Sequence, residues 1–163
     1  MTTVKCLQAL WGWGVALIVF GADQVSKWFV IKQLFDSSKP IVVTSFFNLV
    51  ITWNSGVSFG LFPANSDYGI VFLSLVAITL SGVIIRWMYQ AQSCLLICSY
   101  GLILGGAMGN LMDRFRFGAV ADFLDFHLWN YHWYTFNIAD SAIVLGVFLI
   151  LLTQKPWQPG KKF

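Results

Sequence analysis

A chain of 163 residues in which 58% are hydrophobic and only 10% charged is not an ordinary soluble domain. Such domains carry roughly 25% charged residues and could not hide this much apolar surface. The formal net charge of +3 is small and scattered, which excludes a nucleic-acid footprint. Lipid is the solvent that suits the composition, and the length suits one domain, 1–163.

The first apolar run begins at Cys6 and reaches Ala22. Gly21-Ala22 before Asp23 has the small-residue look of a signal-peptide cleavage site, but the only basic residue ahead of it is Lys5. The run also continues in helical register through Val25, Trp28, Phe29 and Ile31, and so predicts a membrane span over 9–33. A span needs about 20 residues.

Residues 36–67 do not look membrane-spanning. Ile41-Val42-Val43-Thr44 and the stretch 46–53 are rich in β-branched and aromatic residues, which favours short strands. Asn54-Ser55-Gly56 and Pro63-Ala64-Asn65 read as turns. Further spans are predicted over 68–88, 94–113 and 136–154, with a turn near 90–93 and an end enforced by Pro156 and Pro159. Between the last two spans, 114–135 is rich in Trp, Tyr and His, which suits a segment at the membrane interface. Cys6, Cys94 and Cys98 are odd in number, and two lie inside an apolar run. They read as small packing residues and give neither a disulfide framework nor a metal site.

Four spans put both termini on one side, together with the Arg86 turn. That side holds Lys5, Arg86, Lys155, Lys161 and Lys162 and no acid. The other holds Lys27, Lys32, Lys39, Arg114 and Arg116 and all seven acidic residues, every one an Asp. The basic residues are tied, so the positive-inside rule does not decide. The segregation of the acids is complete, and the termini are expected in the cytoplasm with the Asp-rich side outside.

Ionisable and amide groups inside apolar spans cost free energy, about 2.5–3.5 kcal/mol for a charge on insertion scales, and each needs a reason. Asp23 and Lys27 are one helical turn apart in the favourable order for an ion pair. The bland reading is a structural pair with Lys27 snorkelling to the interface, and the functional one is support for a site. Asn54 and Gly56 form either a plain turn or an amide that holds a substrate backbone. In Gly105-Gly106-Ala107-Met108-Gly109-Asn110-Leu111-Met112-Asp113-Arg114 the glycines allow close helix packing. Asn110 and Arg114 share a helix face there, and Asp113 could simply pair with Arg114.

Asn137-Ile138-Ala139-Asp140 has the form of a helix cap, with Asn137 at the N-cap and Asp140 reaching back. Asp122, in Val120-Ala121-Asp122-Phe123, lies in a setting too apolar for a surface loop. The intervening loop is long enough to bring Asp122 and Asp140 together. Two neighbouring carboxylates share a proton and titrate as a unit. One can take a proton from water while the other polarises a scissile carbonyl, the chemistry of an aspartic protease. His127 and His132 are the only histidines and no H-E-x-x-H is present, so a zinc protease is not expected. No phosphate loop follows a strand, and neither metal nor cofactor is expected.

These residues resemble the bacterial lipoprotein signal peptidases, the type II or prolipoprotein signal peptidases, over nearly the whole chain. The resemblance rests on Asp23-Gln24-Val25-Ser26-Lys27, on Asn54-Ser55-Gly56-Val57-Ser58-Phe59 and on the run from Gly105 to Arg114. It is completed by Val120-Ala121-Asp122-Phe123 and Phe136-Asn137-Ile138-Ala139-Asp140-Ser141. Ser55 and Val57 depart mildly from the Thr and Ala expected there.

The resemblance implies a membrane all-α fold of four transmembrane helices with a small extracytoplasmic β-sheet cradle and an interfacial loop or flap. It implies removal of the signal peptide from diacylglyceryl-modified prolipoproteins, just before the lipidated cysteine, in the bacterial cytoplasmic membrane. Asp122 and Asp140 would be the catalytic dyad. Asn54, Gly56, Asn110, Arg114 and Asn137 would bind substrate, with Asp23 and Lys27 in support. Globomycin-like cyclic peptides would inhibit. Trp129, Tyr131, Trp133 and Tyr134 are candidates for a flap. Against this stand a proton or cation transporter, a non-catalytic scaffold that tolerates Asn at Asp122 and Asp140, and a Gly-x-Gly-Asp intramembrane protease. The acids cluster at one end, unlike a transporter's, and Asp122 and Asp140 follow Ala121 and Ala139 rather than glycine.

Overall fold

A computed structural model describes residues 3–34, 39–56 and 67–153. The Pro63-Ala64-Asn65 turn, Val57-Ser58-Phe59, Pro156 and Pro159 lie outside the described residues. The elements are α1 (Thr3–Leu34), β1 (Ile41–Thr44), β2 (Phe47–Asn54), α2 (Asp67–Gln90), α3 (Cys94–Phe117), β3 (Val120–Leu128), β4 (Tyr131–His132) and α4 (Ile138–Thr153).

Three stretches, Ala9–Leu34, Tyr68–Gln90 and Cys94–Phe117, are long and apolar enough to cross a membrane. α4 has 16 described residues, about 24 Å at 1.5 Å per residue. The helices turn large apolar side chains outward, among them Leu17, Ile18, Val71, Leu75, Val144 and Leu152. That is the arrangement for a lipid solvent.

α3 is the central helix, packed against α1, α2 and α4. Glycines let it approach. A Cβ at Gly101 or Gly105 would strike the α1 backbone at Gly12 or Ala16, and one at Gly106 would strike Ala139 O of α4. Association of helices in lipid depends on such close contact, since burying apolar surface gains little there. Towards the α2–α3 turn, Ala16, Met88, Ile97 and Leu104 form an apolar core. Ser93 caps α3, its Oγ accepting from Leu96 N–H at 3.1 Å.

At the opposite end lies a four-stranded antiparallel sheet in the order β1-β2-β3-β4. The expected strands at 41–44 and 46–53 are β1 and β2. Segment 114–135, read from sequence as an interfacial loop, differs from that reading at both ends. α3 runs past residue 113 to Phe117, where Gly118 (φ 70°) closes it with its N–H on Arg114 O. The chain then becomes β3, which pairs with β2 from Phe47↔Phe126 to Asn54↔Val120. Val30 and Leu34 of α1 pack on Phe123, which seats the sheet on the bundle. On the side away from β2, alongside β4, β3 also pairs with Phe136, whose O accepts from Leu124 N–H at 2.8 Å. α4 therefore starts at Ile138 rather than 136, and its first turn lies beside Asp122.

Candidate active site

The β2–β3 register and the Phe136 bridge bring three chain segments to one point. Thr52 faces Asp122 and Asn54 faces Val120, so Asn54 and Asp122 are diagonal neighbours on one face of the sheet. Asn54 Nδ2 donates to Asp122 Oδ2 at 2.9 Å. Asn54 Oδ1 accepts from Gly56 N–H at 2.9 Å, which fixes the turn with Gly56 at φ 74°. A Cβ on Gly56 would meet the Leu73 side chain, with Arg114 Nη2 at 3.9 Å.

Asn137 joins Asp122 to Asp140. Its Nδ2 donates to Asp122 Oδ1 at 2.7 Å. Its backbone N–H donates to Asp140 Oδ2 at 3.2 Å, and its Oδ1 accepts from Asp140 N–H at 2.9 Å. That reciprocal pair is a capping box. The cap and the carboxylate cluster, set against each other as readings of the sequence, occupy the same atoms. Asn110 completes the link: its Nδ2 donates to Asp140 Oδ1 at 2.7 Å and its Oδ1 accepts from Asn137 Nδ2 at 3.2 Å. Arg114, one turn on, donates from Nη1 to Asn110 O at 3.2 Å. Its Nε is buried with no partner among the described residues.

Beneath the two carboxylates lies a buried ion cluster. Lys27 Nζ sits 2.8 Å from Asp23 Oδ2 and 2.7 Å from Asp113 Oδ2. The expected i,i+4 pair is present, but Lys27 is 2% exposed and turns inward between α1 and α3 instead of snorkelling. Two carboxylates hold it there. A further contact from Lys27 Nζ, to Asn110 Oδ1 at 3.3 Å, ties the cluster to the site. Asp23 Oδ1 also accepts Ala139 N–H at 3.0 Å, placing an anion at the N-terminus of α4.

Two members of this cluster were not singled out as site residues from sequence. Asp113 takes Lys27, Gln24 Nε2 at 3.0 Å and Ala121 N–H at 3.1 Å, rather than the adjacent Arg114. It thereby positions the residue before Asp122. Gln24 bridges Asp23, Asp113 and Gly109 O. The only available signal was their place inside the first and third motifs.

Burial pushes the Asp122 carboxyl up to about 6, with a smaller push from Asp140. The Asn54 and Asn137 amides and Lys27 act the other way. At the mouth of the site an apolar groove of about 610 Å³ runs from Asp140 and Ser141 along Val144, Leu145 and Phe148 of α4. Trp133 and Tyr134 form its other wall. Of the four aromatic residues considered for a flap, these two adjoin Asp140. Trp129 stands at the tip of the β3–β4 hairpin, and Tyr131 lines a separate hollow on the sheet.

The family model described as signal peptidase (SPase) II matches residues 15–154. A lipoprotein signal peptidase of Syntrophotalea carbinolica is 41% identical over 149 residues, covering 90% of each chain. One of Methylocella silvestris is 40% identical over 140 residues, 84% of this chain and 81% of its own. Among solved structures, a bacterial membrane enzyme determined in meso at 1.9 Å superposes with a TM-score of 0.72. It is 27% identical, over 85% of this chain and 88% of that one. A second, at 2.3 Å, gives a TM-score of 0.71 at 25% identity, over 88% and 91%.

Proposed function

The chain belongs to the signal peptidase II family, and we propose that it is an aspartic endopeptidase that removes the signal peptide from diacylglyceryl-modified prolipoproteins. It cuts just before the lipidated cysteine, with Asp122 and Asp140 as the dyad. The observation that carries this reading is the pair of carboxylates joined through Asn137 and Asn110 at the head of an apolar groove.

Asp122, raised towards neutrality by burial, holds the shared proton and donates it to the scissile carbonyl oxygen as water adds to the carbonyl carbon. Asp140 accepts N–H donors from Asn110 and Asn137 and takes a proton from the attacking water. The tetrahedral intermediate collapses as the C–N bond breaks. The proton taken by Asp140 passes to the departing amine of the cysteine, and Asp122 recovers its own from the carbonyl oxygen.

Asn54 and Asn137 orient the dyad, each through a side-chain amide N–H that donates to Asp122. Arg114, with a buried Nε unpartnered among the described residues, and the Gly56 turn beside it hold the substrate backbone. Asp23 and Lys27 support the site from below. The groove along α4 accepts an apolar chain, which suits a substrate that brings a signal helix and two acyl chains. Both termini lie in the cytoplasm and the site lies near the outer leaflet of the bacterial cytoplasmic membrane, where such a substrate is soluble. Cyclic peptides of the globomycin type compete for the dyad.

The test is cleavage of a diacylglyceryl-modified prolipoprotein by the purified protein in detergent, with product masses measured. Release of an intact signal peptide and a protein beginning at the lipidated cysteine is expected. Cleavage elsewhere, or equal cleavage of the unmodified precursor, contradicts the substrate assignment.

A further inference from the structure

Five basic residues lie at the same end of the bundle as the acids of the described residues, and the site accounts for two of them. Lys27 is enclosed by Asp23 and Asp113, and Arg114 bonds Asn110 O beside the dyad. Lys39 lines a neighbouring hollow with Leu34 and Trp53, and Lys32 and Arg116 are left over. They stand in the last turns of α1 and α3 and flank one cavity of about 400 Å³ between those helices. Neither has a carboxylate partner among the described residues. Lys32 Nζ instead rests 5.1 Å from the centroid of the Trp28 ring. The Arg116 guanidinium rests 4.9 Å from that of Phe117. Aromatic faces of this kind hold a cation in place without neutralising it.

The floor of the cavity adds no free anion. It contains Gln24, Lys27 and Asp113, and Asp113 is already occupied by Lys27, Gln24 and the Ala121 N–H. Lys27, Lys32 and Arg116 against Asp113 and the Asp23 that shares Lys27 still leave one positive charge in excess. Trp28 and Phe117, its aromatic walls, are themselves exposed, and Val25, Phe29 and Phe115 beside them turn apolar surface outward. A cavity at the ends of two membrane spans, aromatic-walled and rimmed by two unneutralised cations, has the chemistry of a headgroup pocket.

We propose that this cavity binds the phosphodiester of an anionic glycerophospholipid, with Lys32 and Arg116 on the phosphate and the acyl chains along the outer faces of α1 and α3. The cavity includes neither Asp122 nor Asp140, and the proposal stands whether or not the chain cleaves prolipoproteins. A phosphate anion free in solution shares the recognising chemistry. The lipid is favoured because the cavity lies between membrane spans and is bordered by apolar surface.

The experiment is native mass spectrometry of the full-length protein in detergent. It is titrated in parallel with phosphatidylglycerol, with phosphatidylcholine of the same acyl chains and with inorganic phosphate. One phosphatidylglycerol is expected to bind more tightly than phosphatidylcholine. Its affinity is expected to fall about fivefold in Lys32→Gln or Arg116→Gln and about thirtyfold in the double variant. The single variants keep the test informative should the double variant fail to fold. Equal phosphatidylglycerol affinity in wild type and variants, or no preference over phosphatidylcholine, overturns the site. Inorganic phosphate that displaces the lipid at equal concentration overturns the lipid assignment in favour of a free anion.

Discussion

The side-chain amide of Asn137 donates to Asp122 Oδ1 at 2.7 Å. The same residue caps α4 by exchanging bonds with Asp140. The two duties can be separated. Serine caps a helix nearly as well as asparagine but cannot reach Asp122 while capping. Asn137→Ser is expected to lower kcat/KM about 100-fold, the cost of a misplaced catalytic group, and to cost about 1–3 kcal/mol for the buried bonds to Asp122 and Asn110 while keeping the cap. Asn137→Ala is expected to lose the same activity and a further ~1 kcal/mol of stability. Kinetics beside thermal unfolding of both variants check this, and a fully active serine variant would reduce Asn137 to a cap.

Asp122 sets a pH dependence. Its pKa is raised in the folded protein from 3.8 to about 6, so the protonated form is favoured by folding. Stability therefore falls as pH rises from about 4 to about 6, and levels off above. Activity that needs the proton on Asp122 falls over the upper part of the same window. The pH profile of kcat/KM is expected to show a falling limb near pH 6 that belongs to the pair. Asp122→Asn is expected to remove the stability slope. A stability that rises between pH 4 and 6 in the wild type alone contradicts the assignment.

The Asp23–Lys27–Asp113 cluster is almost fully excluded from solvent. Removing one partner from a buried ion pair leaves the other uncompensated, at about 3–5 kcal/mol. Lys27→Met strands two carboxylates, and Asp113→Ala also frees the Ala121 N–H. Both variants are expected to unfold at clearly lower temperature in detergent than the wild type. Unchanged thermal midpoints would mean that water reaches the cluster.

Gly106 faces Ala139 O, the residue before Asp140, with no room for a Cβ. Gly106→Ala forces α3 and α4 apart at the site, an overpacking cost of about 1–3 kcal/mol. Loss of activity is expected to exceed loss of stability, because the displaced element carries Asp140. Gly14→Ala, where nothing lies within 4 Å of the new Cβ, is the control expected to keep full activity with stability equal to or slightly above the wild type.

The spans were legible because a run of apolar residues long enough to cross lipid has few alternative explanations. The same clarity applied to β1 and β2, where Ile41, Val42, Val43 and the aromatic residues favour strands. β3 was not legible. Its alternation places Asp122 with Leu124 and Phe126 on one face, and Asp125 and His127 with Phe123 on the other. Val120 and Leu128 join the first face, which is apolar but for Asp122, while the second mixes Ala121 and Phe123 with Asp125 and His127, and the Trp, Tyr and His that follow point to an interfacial segment instead. Asp125 is instead satisfied inside the sheet by Asn48 and by His132 of β4, partners that only the fold supplies. Asp113 failed for a related reason. Its neighbour Arg114 offers a local explanation, whereas its actual partners Lys27 and Gln24 come from α1. Lys27 looked able to snorkel because nothing local forbids it, and the second carboxylate that holds it inward belongs to α3. Residues whose roles were stated in the motifs came together; those acting through tertiary contacts needed the structure.

The most direct test of the dyad is the cleavage rate of a diacylglyceryl-modified prolipoprotein by wild type, Asp122→Asn and Asp140→Asn. Each variant is first shown to be folded by its thermal midpoint. Asparagine keeps the shape and most hydrogen bonds but cannot exchange a proton with water. Each variant is expected to lose about 1000-fold or more in rate, within the range for general acid–base groups. If both cleave at the wild-type rate, Asp122 and Asp140 are a strand residue and a helix cap, and the mechanism proposed for this site is wrong.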